Sequence, residues 1–165
     1  ALPILDQFRR PNGIFNAKIE PTGRLKLPAE VRDWLRGNGF KTVFVTSIDM
    51  KFVSIYPPPV WTAFERALEN TEANYEDAQA VLLVARANGA NSPVDDTGRI
   101  TIPAEARALL ASESNTVALE VTQGKIQLEP ESAYKSRLEA AKRDLANKVK
   151  AIEKLGRLDA LGVDL

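Results

Sequence analysis

Two arginines, Arg24 and Arg99, each follow a Thr-Gly pair and each open a short run that alternates polar and apolar residues. In Arg24-Leu25-Lys26-Leu27 the period of two turns Leu25 and Leu27 toward a core and leaves Arg24 and Lys26 together on the wet face. Arg99-Ile100-Thr101-Ile102 repeats the pattern with neutral Thr101 in the place of Lys26. Outward guanidinium and ammonium groups on a strand can hold phosphate or carboxylate oxygens, so the chemistry on offer is anion binding. Bond-breaking chemistry has little to work with. The chain of 165 residues contains no histidine and no cysteine, which removes imidazole bases, thiolate nucleophiles and the commonest metal ligands. No nucleophile–base pair or phosphate-cradling loop stands out, and Gly37-Asn38-Gly39 is a helix stop without the rest of a dinucleotide fingerprint. The expectation is a non-enzyme without cofactor, metal or small-molecule substrate.

These arginines sit in a duplicated stretch. Thr22–Arg32 returns 75 positions later as Thr97–Arg107, with seven of eleven positions identical. Around each copy the same elements are predicted. Ile14–Glu20 reads as a strand, Pro21-Thr22-Gly23 as a turn and Arg24–Leu27 as the next strand. Pro28 suits the start of a helix, Glu30 complements its dipole, and Val31, Trp34 and Leu35 make one apolar stripe. Strands over Thr42–Thr46 and Phe52–Tyr56 follow, turning at Asp49, and Pro57 leads into a helix with Trp61, Phe64 and Leu68. The second copy gives Asn91–Asp95, a turn at Asp96-Thr97-Gly98, the strand Arg99–Ile102, a helix Pro103–Leu110, and strands Thr116–Val121 and Lys125–Glu129. Pro130 and Tyr134 match Pro57 and Trp61 at an offset of 73.

The division read from this is an N-terminal arm (1–12), a first repeat with its following helix (13–70), a connecting helix (71–89), a second repeat (90–130), and a C-terminal helix and tail (131–165). The apolar centre of 71–89, Ala80–Ala85, fits a helix or a short strand. The arm carries Arg9-Arg10 and lacks the charged start and long apolar run of a signal peptide. No apolar run approaches the roughly 20 residues that span a bilayer. From Glu131 onward no Gly or Pro occurs before Gly156. Tyr134, Leu138, Ala141, Leu145, Val149, Ile152 and Leu155 form a narrow seam on what reads as one continuous helix of roughly 27 residues, about 40 Å long. With 22 basic and 22 acidic residues the net charge is zero. A nucleic-acid binder so balanced must gather its cations on one face or act in several copies.

The tandem strand–Gly-Arg turn–strand–Pro-Ala–helix units resemble the SpoVT/AbrB domain. Their duplication, with Gly13-Ile14-Phe15 before the first copy, Tyr56-Pro57-Pro58 and Trp61 after it, and Asp95-Asp96-Thr97-Gly98-Arg99 in the second, resembles the MraZ family of bacterial transcriptional regulators over residues 13 to 155. The resemblance implies an α+β fold in which two β-β-α-β-β repeats form an intramolecular swapped-hairpin pseudo-dimer barrel, with flanking helices and a long C-terminal helix. It implies a cytoplasmic, nucleoid-associated homo-oligomer, such as a ring, that binds repeated promoter elements in double-stranded DNA, notably upstream of division and cell-wall genes. On that reading Arg24, Arg99 and Lys26 contact DNA. The family's Asp-x-x-x-Arg signature maps onto Glu20–Arg24 and Asp95–Arg99, so Glu20 and Asp95 would orient the arginines or the turn, and Gly23 and Gly98 shape the turns. For Arg32 and Arg107 an ion pair with Glu20 or Asp95 and a phosphate contact both stay open. Glu20 stands where the family has Asp, and Thr22 and Thr97 are neutral where a Lys often precedes Gly-Arg. The alternative is an oligomeric structural or interaction protein of the same fold that has lost DNA binding.

Overall fold

The computed structural model describes residues 10–156. Residues 1–9 of the expected arm, including Arg9, and residues 157–165 of the expected tail lie outside the described residues. The chain separates into two compact units, one closing at Glu131 and the other opening at Ser132.

Each copy supplies the same elements in the same order. The first gives β1 (Ile14–Lys18), β2 (Arg24–Lys26), α1 (Ala29–Gly37), β3 (Thr42–Thr46), β4 (Val53–Tyr56), α2 (Pro58–Glu69) and α3 (Tyr75–Asn88). The second gives β5 (Ala90–Pro93), β6 (Arg99–Thr101), α4 (Ala104–Leu109), β7 (Thr116–Thr122), β8 (Lys125–Pro130), α5 (Glu131–Lys142) and α6 (Leu145–Lys154). The segment that fitted helix or strand is helical throughout as α3. None of the described helices is long and apolar enough to cross a membrane.

The architecture is α+β. Six strands form one sheet in the order β1-β7-β8-β4-β3-β5, and β2 and β6 form a separate two-stranded ribbon. Every pairing is antiparallel. Exchanging the copies maps the sheet order onto itself. Thus β1 pairs with β7 of the other copy, β5 pairs with β3, and the counterparts β4 and β8 meet at the centre.

The alternation read from the sequence determines which side chains fill the interior. Leu25, Leu27, Ile100 and Ile102 are buried beneath the ribbon and join Val31, Trp34 and Leu35 of α1 and Ala106 and Leu110 of the second copy in one apolar cluster with the sheet. Each fully buried Leu or Ile contributes about 1.5–3 kcal/mol relative to solvent exposure. A second cluster holds α2 and α3 on the first copy's strands. Trp61 lies with its ring 4.5 Å from Phe44 and 5.5 Å from Phe64, and Tyr56, Val60 and Ala85 are buried with it.

In the unit that opens at Ser132, the expected single long helix is broken. Helix α5 ends at Lys142 and α6 starts at Leu145, with Asp144 between them in the left-handed region (φ 54°). The first copy breaks between α2 and α3 in the same way, with Asn74 left-handed (φ 56°) before α3. Asn and Asp are among the few non-glycine residues that visit this region readily. The Asp144 carboxylate also accepts a hydrogen bond from Asn147 Nδ2 at 2.7 Å, closing the turn locally. The pair α5–α6 is therefore the second copy's counterpart of α2–α3, and the seam does not run on one helix.

Candidate nucleic-acid interface

The ribbon β2–β6 positions the arginines picked out by the sequence. Its register sets Arg24 opposite Thr101, Leu25 opposite Ile100 and Lys26 opposite Arg99. Leu25 and Ile100 point inward and are buried, so Arg24, Lys26, Arg99 and Thr101 share the outer face. Two cations directly across an antiparallel pair, Lys26 and Arg99, repel each other unless one is neutralised.

That neutralisation comes from the opposite copy. Arg99 Nε donates to Glu20 Oε1 at 2.7 Å, and Arg24 Nη2 donates to Asp95 Oδ2. The carboxylate of each copy thus holds the arginine of the other. Arg24 keeps 40% and Arg99 28% of the side-chain surface, so both remain partly open to solvent. Lys26 is exposed and forms no ion pair among the described residues.

The two carboxylates differ in what else they do. Asp95 Oδ1 accepts from Thr97 Oγ1 at 2.7 Å, Thr97 N at 2.9 Å and Arg99 N at 2.8 Å, folding back onto its own turn. Led by the Thr97 hydroxyl, these donors and Arg24 hold the Asp95 carboxyl well below the usual carboxylate range. Thr97 Oγ1 also accepts from Arg99 Nη1 at 2.9 Å, so this neutral residue links carboxylate and guanidinium. Glu20, one methylene longer, reaches across to Arg99. The backbones of both turns still match: Glu20 N donates to Arg24 O at 2.8 Å, and Asp95 N donates to Arg99 O at 3.0 Å.

Gly23 (φ +83°) and Gly98 (φ +80°) supply the left-handed residue of each turn. Each also packs under an arginine of the other copy's helix. A Cβ on Gly98 would stand 2.8 Å from Arg32 Cδ, and one on Gly23 would fall on the Arg107 guanidinium. Reciprocal backbone bonds, Leu27 N to Gly98 O at 2.9 Å and Ile102 N to Gly23 O at 3.0 Å, fasten the turns to the opposite strands. The ion pairs considered for Arg32 and Arg107 with Glu20 or Asp95 do not form. Those carboxylates hold Arg99 and Arg24, Arg32 turns to its neighbour Asp33 at 3.2 Å, and Arg107 covers the Gly23 turn.

No protein-family model matches the chain. Among curated proteins it is similar to proteins named Transcriptional regulator MraZ. The one from Pelotomaculum thermopropionicum is 33% identical over 104 residues, 63% of this chain and 69% of the relative. The one from Heliobacterium modesticaldum is 31% identical over 107 residues, 65% of this chain and 72% of the relative. That from Nitrosomonas europaea is 27% identical over 105 residues, covering 64% and 71%. The chain belongs to the MraZ family.

In this MraZ-family chain the ribbon brings Arg24, Lys26 and Arg99 onto one face, and the pairings bring Glu20 and Asp95 to its edges. Sequence reasoning missed that each carboxylate serves the other copy's arginine, 71 and 79 residues away. It also missed Arg36, whose Nη2 donates to the Asp96 carbonyl at 2.5 Å and the Asp95 carbonyl at 3.3 Å, tying α1 to the second turn. The carboxylate four residues before each of these arginines was the available signal for the first. Arg36 had none, because its counterpart position is Ala111.

Proposed function

We propose that this chain is a DNA-binding transcriptional regulator whose outer ribbon face meets double-stranded DNA, acting as a homo-oligomer on repeated promoter elements. The observation that carries the reading is the antiparallel β2–β6 ribbon, which turns Arg24, Lys26 and Arg99 to one side above buried Leu25 and Ile100. A two-stranded ribbon fits the DNA major groove, about 12 Å wide. Arg24 and Arg99 then exchange carboxylate for phosphate or base-edge acceptors, and Lys26 adds a point charge. The cross-pairing of β1 with β7 and β5 with β3 supports reading the fold as the swapped-hairpin pseudo-dimer of AbrB type.

A ribbon with three cations and two carboxylates neutralises few phosphates, so a single chain binds weakly at physiological salt. Several chains on successive repeats raise affinity through effective concentration. The name carried by the relatives supports the regulatory role.

A second reading rests on the pairing of both arginines with carboxylates, namely that the ribbon is a latch between copies and the chain an oligomeric interaction protein without DNA binding. A mobility shift with duplex DNA separates the two. The regulatory reading expects a shift for the wild type that Arg24→Ala plus Arg99→Ala abolishes; no shift by the folded wild type on any enriched sequence overturns it.

A further inference from the structure

The two Gly-Arg turns are fastened unequally. Arg32 and Arg36 stand four residues apart on one face of α1, and both meet the second turn. Arg32 packs against Gly98, while Arg36 Nη2 donates to the Asp96 carbonyl at 2.5 Å and the Asp95 carbonyl at 3.3 Å. The second copy gives the first turn only half of this. Arg107 covers Gly23, but α4 ends at Leu109, and the counterpart of Arg36 is Ala111, whose side chain has no donor.

The inequality extends to the outward arginines. Asp95 Oδ1 accepts from the backbone N–H of Thr97 and of Arg99, and Thr97 Oγ1 accepts from Arg99 Nη1 at 2.9 Å. With Nε donating to Glu20 at 2.7 Å, the Arg99 guanidinium is held at two of its nitrogens, and Nη2 is left for a further acceptor. Arg24 is held by Asp95 alone. Among the described residues no hydrogen bond joins Thr22, in the place of Thr97, to Arg24. A guanidinium that reads both acceptors of a guanine edge must present its plane in one orientation. Setting that orientation beforehand removes the cost of ordering the side chain on binding.

We propose that Arg36 is a positioning residue. Through the Asp95 and Asp96 carbonyls it fixes the second turn, which makes Arg99 the sequence-reading arginine of the ribbon and leaves Arg24, on the less fastened turn, to supply charge. Arg36 acts through the turn and not on DNA. The role rests on the DNA-binding reading of the ribbon and adds to it a division of work between the two copies.

The test compares affinities for the duplex enriched by the wild type and for a scrambled duplex, over a range of salt. It uses the full chain and Arg36→Ala, Arg24→Ala, Arg99→Ala and the doubles of Arg36→Ala with each, all shown to be folded by circular dichroism. Arg36→Ala and Arg99→Ala are each expected to lower the ratio of the two affinities by about tenfold, whereas Arg24→Ala lowers both affinities by the same factor. Arg36→Ala leaves the slope of log affinity against log salt unchanged, because no phosphate contact is removed. Adding Arg36→Ala to Arg99→Ala costs no further selectivity, and adding it to Arg24→Ala does. An unchanged ratio for Arg36→Ala, or a further loss in the Arg99→Ala background, overturns the role. A slope shallower by about 0.9 for each chain in contact would make Arg36 a phosphate contact instead and equally overturn it.

Amide hydrogen exchange followed by NMR gives the arm without DNA. The Gly98 amide, which donates to the Asp95 carbonyl at 3.0 Å, is expected to exchange faster in Arg36→Ala, and the Gly23 amide, on the Glu20 carbonyl at 2.8 Å, to keep its rate. Equal changes at the two, or none, overturn the fixing of the turn. A folded wild type that binds no duplex overturns the regulatory reading and the reading role of Arg99 with it, while the exchange rates still decide whether Arg36 fixes the turn.

Discussion

Arg24 holds Asp95, 71 residues further along the chain, while Arg99 holds Glu20 in return. The two Gly-Arg turns are thereby locked to each other, each by the carboxylate that precedes the other's arginine. The lock holds both guanidinium groups against carboxylates, where their charge is partly cancelled.

Acid titration reads this lock. The Asp95 carboxyl sits below its ordinary range in the folded chain, so its contribution is fully present above the unfolded value of about 3.9 and is lost as pH falls through the folded value. The stability difference between wild type and Asp95→Asn is expected to be largest at neutral pH and to shrink once pH drops below about 4. Urea unfolding across pH measures it; a difference that grows on acidification contradicts the assignment.

The turn glycines are open to a direct check. Gly98→Ala places an L-residue at φ +80° and its methyl against Arg32. A non-glycine residue in the left-handed region costs about 1–2 kcal/mol. Urea unfolding is expected to show at least that loss for Gly98→Ala and for Gly23→Ala, and unchanged midpoints would contradict the turn geometry.

Much of this geometry was legible in the residues. Alternation in Arg24–Leu27 and Arg99–Ile102 sorted outward cations from buried Leu25 and Ile100, and the Val31, Trp34, Leu35 stripe predicted the buried face of α1. Pairing partners were harder to see. In a duplicated sequence β1 carries the same local pattern whether it pairs with β3 or with β7, and the choice lies in contacts a hundred residues apart. Composition also concealed the break at Asp144, because nothing but a left-handed backbone separates α5 from α6. Arg24 and Arg99 were legible as outward cations, but the carboxylates that hold them depend on that same exchange between copies.

The floor of the ribbon gives a third prediction. Leu25 is fully buried and Ile100 1% exposed beneath the cations. Leu25→Ala is expected to cost about 2–5 kcal/mol, to be read from denaturant unfolding. A loss below about 1 kcal/mol would mean that the ribbon does not sit on the core as described.

Contact between DNA and the ribbon face is read from the salt dependence of DNA binding by Lys26→Ala. Lys26 is exposed, lies on the outer ribbon face and forms no ion pair among the described residues, so its removal leaves the fold intact. With duplex DNA enriched by the wild-type chain from a randomised pool, the slope of log affinity against log salt is predicted to become shallower by about 0.9 for each chain in contact. An identical slope for wild type and Lys26→Ala would show that DNA does not lie on the ribbon face, and would contradict the account.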